Sequence, residues 1–311
     1  MTASIHEITA FKQMWRAIAA EQAKAPMTLE AQRLAFDAQH GAVPLPDGVS
    51  VDPIAEGDIL GEQLTPAKAD RRRALLYHHG GGHTFGSPLS HRHLVARLAE
   101  AAGVTGFNMF YRLAPEHPYP AGLDDAVRNY RYLLDHGYDA GDIVVGGESA
   151  GGNLTVALLL KLRDLGLPAP GGAYLLSPWL DMTQAGASYE ARAAFDPMLT
   201  KTAMEACAQA YCAGGASPAD PMVSPLKADL TRLPPVFVQV GGDELLLSDA
   251  LDFAHRLALA GGDVRLHVWP EMVHAWPLFH PALPTAGLGA IAEAGAWIGG
   301  RLGASPGARC G

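Results

Sequence analysis

Gly147-Glu148-Ser149-Ala150-Gly151 decides how this chain is read. An apolar run, Ile143-Val144-Val145, precedes it and reads as a buried strand. Asn153 to Leu160 follows it and reads as a helix. Strand, tight turn and helix form the context that a G-x-S-x-G elbow needs. The glycines allow a sharp turn, because glycine tolerates positive φ and close backbone approach. The serine is pushed up at the carboxyl end of the strand. The helix behind it turns its N-terminal N–H groups and partial positive charge toward any developing anion.

A lone G-x-S-x-G is also compatible with an ordinary glycine-rich turn, or with a serine that caps a helix. Its company narrows the choice. His79-Gly80-Gly81-Gly82 follows a second apolar run, Ala74-Leu75-Leu76-Tyr77. Bare N–H groups of Gly81 and Gly82, with that of Ala150, can form an oxyanion hole. Downstream come an acid after a strand, Asp243, and then His274. A serine hydroxyl needs a base to take its proton, and the base needs an orienting acid. Glu244, Asp249 and Asp252 compete with Asp243 for the acid. Asp243 directly follows the strand and its Gly-Gly turn, whereas Asp249 and Asp252 fall in the next helix. His267 and His280 compete with His274. His267 sits within the last strand, and His274 lies in the loop after it, where the base is needed.

These stretches, with Tyr111-Arg112-Leu113-Ala114-Pro115-Glu116-His117-Pro118-Tyr119-Pro120-Ala121 and Gly242-Asp243-Glu244-Leu245, resemble the α/β-hydrolase superfamily. The branch is the hormone-sensitive-lipase-like, or bacterial family IV, esterases. The resemblance runs from about Val49 to Arg301, in the family's order. It implies an α/β fold with a mostly parallel twisted sheet flanked by helices and a helical cap. It implies a triad of Ser149, Asp243 and His274, and an imidazole at His79 that braces the glycine loop. It also implies short- to medium-chain acyl esters as substrates. Glu148 stands where similar enzymes have Asp or Thr, and a structural role is expected for it. His83 stands where an aromatic or apolar residue is commoner, and would make the pocket mouth more polar. Phe85, Trp179, Met198 and Tyr211 are expected pocket walls, with ordinary packing the competing reading.

Read in order, Ile8, Phe11, Trp15 and Ile18 share one helix face, and a second helix follows Pro26. Residues 1–45 therefore read as two helices, which the family uses as part of the cap. Arg71-Arg72-Arg73 reads as a solvated loop before a strand. Strands and helices alternate through residues 46–182 and resume over 226–303, the pattern of a parallel, doubly covered sheet. Residues 183–225 interrupt it with helical composition and are expected to be the other half of the cap. Val264 to Trp269 alternates as an edge strand would, and open edges invite pairing, so a homodimer through this strand is expected. Residues 304–311 read as a disordered tail.

Composition excludes several classes. A net charge of −9 argues against general affinity for nucleic acid or anionic membranes. Nothing resembles a membrane span, and Glu7, Lys12 and Arg16 interrupt any signal-peptide core. Three cysteines, Cys207, Cys212 and Cys310, give no disulfide or zinc framework and fit a reducing cytoplasm. His78, His79, His83, His91 and His93 lack the spacing and partners of a zinc site. No metal or cofactor is expected. An amidase with the same triad and a silent binding protein on the same fold remain as alternative readings.

Overall fold

The structure, a computed structural model, describes residues 5–302. The expected tail and Cys310 lie outside them. Eight strands form one sheet: β1 (Val49–Glu56), β2 (Ile59–Pro66), β3 (Asp70–His78), β4 (Val104–Met109), β5 (Ile143–Glu148), β6 (Gly172–Leu176), β7 (Val236–Gly241) and β8 (Val264–Trp269). Nine helices are described: α1 (Ile5–Lys24), α2 (Leu29–Gly41), α3 (Pro88–Ala102), α4 (Ala121–Asp135), α5 (Ala150–Asp164), α6 (Ser188–Ala191), α7 (Lys201–Tyr211), α8 (Leu247–Leu259) and α9 (Pro284–Arg301). The strand order is β1-β2-β4-β3-β5-β6-β7-β8. The first two joins, β1 to β2 and β2 to β4, are antiparallel, and every other join is parallel.

Side-chain alternation divides the core. On β3, Ala74 and Leu76 enter one apolar cluster while Leu75 and Tyr77 enter the other. On β6, Ala173 and Leu175 part from Tyr174 and Leu176 in the same way. One sheet face is covered by α4, α5 and α8, which bring Leu123, Tyr130, Leu158 and Phe253. The other is covered by α3 and α9, which bring Leu94, Leu98, Ile291 and Ile298. Central strands buried on both faces read as continuous apolar runs rather than alternating ones. Each fully buried Leu, Val or Phe contributes about 1.5–3 kcal/mol relative to exposure.

One local reading changes. Arg71 to Arg73 are the first residues of β3 rather than a loop, because Asp70 already pairs with Val104. Their side chains still face solvent wholly or partly. On α4 the buried face runs through Leu133, with Leu134 only half-buried. On α2, Leu34 is exposed and Phe36 packs inward instead. β8 pairs only with β7 and leaves the sheet open at that edge. Residues 183–225 hold α6 and α7 and no strand.

Candidate active site

β5 runs straight into the turn that carries Ser149. The serine has φ 56° and ψ −120°, an unfavourable backbone for a residue with a side chain. Such strain costs on the order of 1–3 kcal/mol and persists only where the surroundings enforce it. Here they do. The Ser149 N–H donates to Leu176 O at 3.0 Å, and Ser149 O accepts from Trp179 N at 3.0 Å. Asn153 Nδ2 donates to Trp179 O and Val223 O, both at 2.9 Å, and holds the flanking loops. A Cβ on Gly151 would lie 2.0 Å from His78 O, so no other residue fits there. α5 starts at Ala150, whose N–H has no acceptor inside its own helix.

The glycine loop lies beside this turn. Gly81 and Gly82 have φ of 105° and 60°. Among the described residues their N–H groups meet no acceptor. A Cβ on Gly81 would sit 2.1 Å from Phe85 O. Glu148 ties loop to turn: its carboxylate accepts the Gly80 N–H and faces His91 Nε2 at 2.7 Å. Burial alone would raise its pKa, but the neighbouring His91 ring and the donors around it bring it below the ordinary value. His79 stacks on Tyr111 with ring centroids 4.4 Å apart, and its Nδ1–H donates to Gly80 O at 2.7 Å. Burial lowers the His79 pKa to about 3, so the ring is a neutral brace.

His274 and the carboxylate it meets come from the turns after β8 and β7. His274 is buried, and its Nδ1 lies 2.7 Å from Glu244 Oε2. A carboxylate only accepts, so Nδ1 carries the proton and Nε2 is left for the cavity. The other Glu244 oxygen accepts the Gly241 N–H at 2.7 Å. Burial disfavours the imidazolium, but the hydrogen bond and charge of Glu244 outweigh it, helped by Asp196 and Glu148, so the His274 pKa is raised. Ala275 N donates to Ser177 Oγ at 3.0 Å and fixes the loop behind the ring.

Asp243, the acid expected from the sequence, is not the partner of His274. Its carboxylate takes Lys12 Nζ at 2.6 Å and lies 4.0 Å from Arg192 Nη1. The reason is local. Adjacent side chains in a turn project in different directions, so one carboxylate faces inward and its neighbour outward. Glu244 is the inward one, and its extra methylene spans the gap. Asp249 is buried and accepts Leu180 N and Asp181 N at 2.7 and 2.8 Å. Asp252 is exposed on α8. His267 pairs with Glu293 at 2.7 Å, and His280 with His93 and Arg97 at 3.2 and 3.0 Å.

Ser149 and His274 line one cavity of about 610 Å³, together with Gly81, Gly82 and Glu148. Phe85, Trp179 and Met198 line it as well. Tyr211 is not on the wall. It stacks on His83 with centroids 3.9 Å apart, and both rings are buried. His83 therefore does not polarise the mouth; burial lowers its pKa to about 3. Walls missed in the sequence include Trp15 and Ile18 of α1, Phe36 of α2, Cys207 of α7 and Phe279. The spacing that placed Trp15 and Ile18 on one helix face was the available signal. Among the described residues no group of three or more His, Cys, Asp or Glu is set to hold a metal ion.

Comparison with known proteins bears on the fold and the family. A family described as the alpha/beta hydrolase fold matches residues 75–278. An acetyl-hydrolase of Streptomyces hygroscopicus is 42% identical over 273 residues, 87% of this chain and 89% of that protein. An esterase of Acinetobacter venetianus is 35% identical over 238 residues, covering 76% of this chain and 78% of the relative. The crystal structure of an esterase from the bacterial hormone-sensitive lipase family superposes with a TM-score of 0.90 at 40% identity, over 97% of this chain and 100% of that one. With sequence and fold both aligned along most of its length, the chain belongs to the α/β-hydrolase fold family, in the hormone-sensitive-lipase-like branch of esterases.

Proposed function

We propose that the protein is a serine carboxylic-ester hydrolase for short- to medium-chain acyl esters, working through an acyl-enzyme with the triad Ser149, His274 and Glu244. The buried His274–Glu244 pair, opening on the same cavity as Ser149, carries this reading. Ser149 Oγ attacks the ester carbonyl while His274 Nε2 takes its proton. Glu244 holds the tautomer and stabilises the imidazolium. The N–H groups of Gly81, Gly82 and Ala150 hold the oxyanion, each such donor contributing ~3 kcal/mol. Collapse expels the alcohol, protonated by His274. Water then deacylates Ser149 by the same base and the same donors.

The two N-terminal helices and residues 183–225 act as a cap. They supply Trp15, Ile18, Phe36 and Cys207 to the cavity wall, which supports a closed, small-substrate site. The Streptomyces relative's description as an acetyl-hydrolase favours the short end of the acyl range. Esters are taken as the substrates in preference to matched amides, and rates on an ester and its matched amide decide between them. The protein is further taken as a cytoplasmic homodimer paired through β8. Support comes from the open β8 edge and from the unpaired thiols Cys207 and Cys212. Light scattering at micromolar concentration reads the mass, and a monomer removes the dimer.

Labelling with a fluorophosphonate probe tests the catalytic reading. Stoichiometric adduct at Ser149, lost in Ser149→Ala, is expected. A probe that leaves Ser149 unlabelled in folded protein overturns it.

A further inference from the structure

Asp243 sits one residue before the proposed acid and has no partner in the reaction, yet its carboxylate is engaged on both oxygens. Its Oδ2 receives Lys12 Nζ from α1 at 2.6 Å. Its Oδ1 lies 4.0 Å from Nη1 of Arg192, which ends α6. Its N–H donates to Met272 O at 3.0 Å, in the loop that leads to His274. One residue thus touches the N-terminal helix, the 183–225 segment and the base-bearing loop. The side chains of Lys12 and Asp243 are only 14% and 15% exposed, so the pair is largely shielded from water.

The two halves of the cap differ in how they depend on this contact. The 183–225 half has several other ties to the acid turn. Ser188 Oγ donates to Leu245 O, Ser188 N donates to Ser248 Oγ at 2.8 Å, and Asp196 accepts Leu245 N at 3.0 Å. α1 meets the acid turn through Lys12. Three residues further along the same helix, Trp15 lines the cavity, and Ile18 follows one turn later.

We propose that Asp243 is a positioning residue: a charged latch that holds α1 over the cavity, so that the wall formed by Trp15 and Ile18 depends on the Lys12–Asp243 pair. The latch acts on substrate retention and leaves the bond-breaking machinery alone. It rests on the reading of Glu244 as the triad acid, and the test separates the two.

The experiment uses the full chain, p-nitrophenyl butyrate, circular dichroism to check folding, and limited proteolysis of residues 5–41. Asp243→Asn and Lys12→Met should each raise KM by about five- to tenfold with kcat within about twofold, and should speed cleavage in that segment. The double variant should be no worse than either single variant, because one interaction has been removed twice. Asp243→Glu should recover most of the loss. Glu244→Gln should instead lower kcat by about 10³-fold with the proteolysis pattern unchanged. An unchanged KM in both latch variants, or additive losses in the double variant, overturns the latch. Should Asp243→Asn unfold, Lys12→Met decides alone. Loss of kcat in Asp243→Asn with near-normal activity in Glu244→Gln would overturn both the latch and the triad assignment.

Discussion

The turn after β5 and the turn after β7 both deliver a side chain of the proposed triad, but by different means. At Ser149 the backbone decides. Positive φ, a glycine that admits no Cβ and hydrogen bonds on both sides of the residue leave one direction for the hydroxyl. At Asp243-Glu244 the backbone offers two adjacent carboxylates, and side-chain reach and partners decide. Glu244 goes in to His274 and Gly241, and Asp243 goes out to Lys12 and Arg192. A site fixed by backbone geometry is rigid to substitution. A site fixed by partners can be moved by changing the partner.

The largest effect should come from the rigid turn. Ser149→Ala removes the nucleophile and should lower kcat on the order of 10⁵-fold with the fold intact, measured on a nitrophenyl ester. Full activity would break the comparison at its first member. Next, Glu244→Gln should cost about 10³- to 10⁴-fold in kcat, because an amide no longer stabilises the imidazolium. Asp243→Asn should leave kcat near normal, and an equal loss in both would erase the distinction between the two carboxylates.

A smaller effect is read in the pH profile. The base must be neutral to accept a proton, and the His274 pKa is raised above the ordinary 6.5. The acid limb of kcat/KM should therefore lie above that value, activity falling as pH falls through it. Glu244→Gln should move what limb remains downward. By linkage, a raised histidine pKa stabilises the fold fully below 6.5, and that contribution fades as pH rises through the folded value.

The smallest effect concerns the imidazoles behind the site. Burial lowers His40 and His280 to about 4 and His93 to about 2. All three are neutral in the fold. The unfolded chain takes up protons first on acidification, so stability should fall as pH drops from 6.5 toward about 4. Thermal melts at pH 7 and pH 5 check this, and His40→Phe, which keeps a ring beside Phe279, should flatten the difference.

Most of the fold was legible because buried parallel strands and glycine turns are written locally. Ala74-Leu75-Leu76-Tyr77, Ile143-Val144-Val145 and the elbow each carry their own signature. His274, the proposed base, was singled out by its place after the last strand. The acid was not, because neighbours in a turn differ only in direction, and direction is set by Lys12, 231 positions away. Tyr211 and His83 were misplaced for the same reason. Their stacking on each other takes both into the interior. The tilt of α1, which brings Trp15 to the cavity, depends on contacts of Phe11 and Trp15 with Phe279 that no short window contains.

The order of strands in the sheet nearly repeats their order in the chain, with β3 and β4 exchanged. A ribosome would therefore release the pieces so that each new strand after β3 finds a neighbour already present. Ser149 and the bare amides emerge early, and His274 arrives only after β8. A half-made polypeptide would carry a hydroxyl with nothing to deprotonate it. On the proposed triad, the site is complete only with the closing stretch of synthesis.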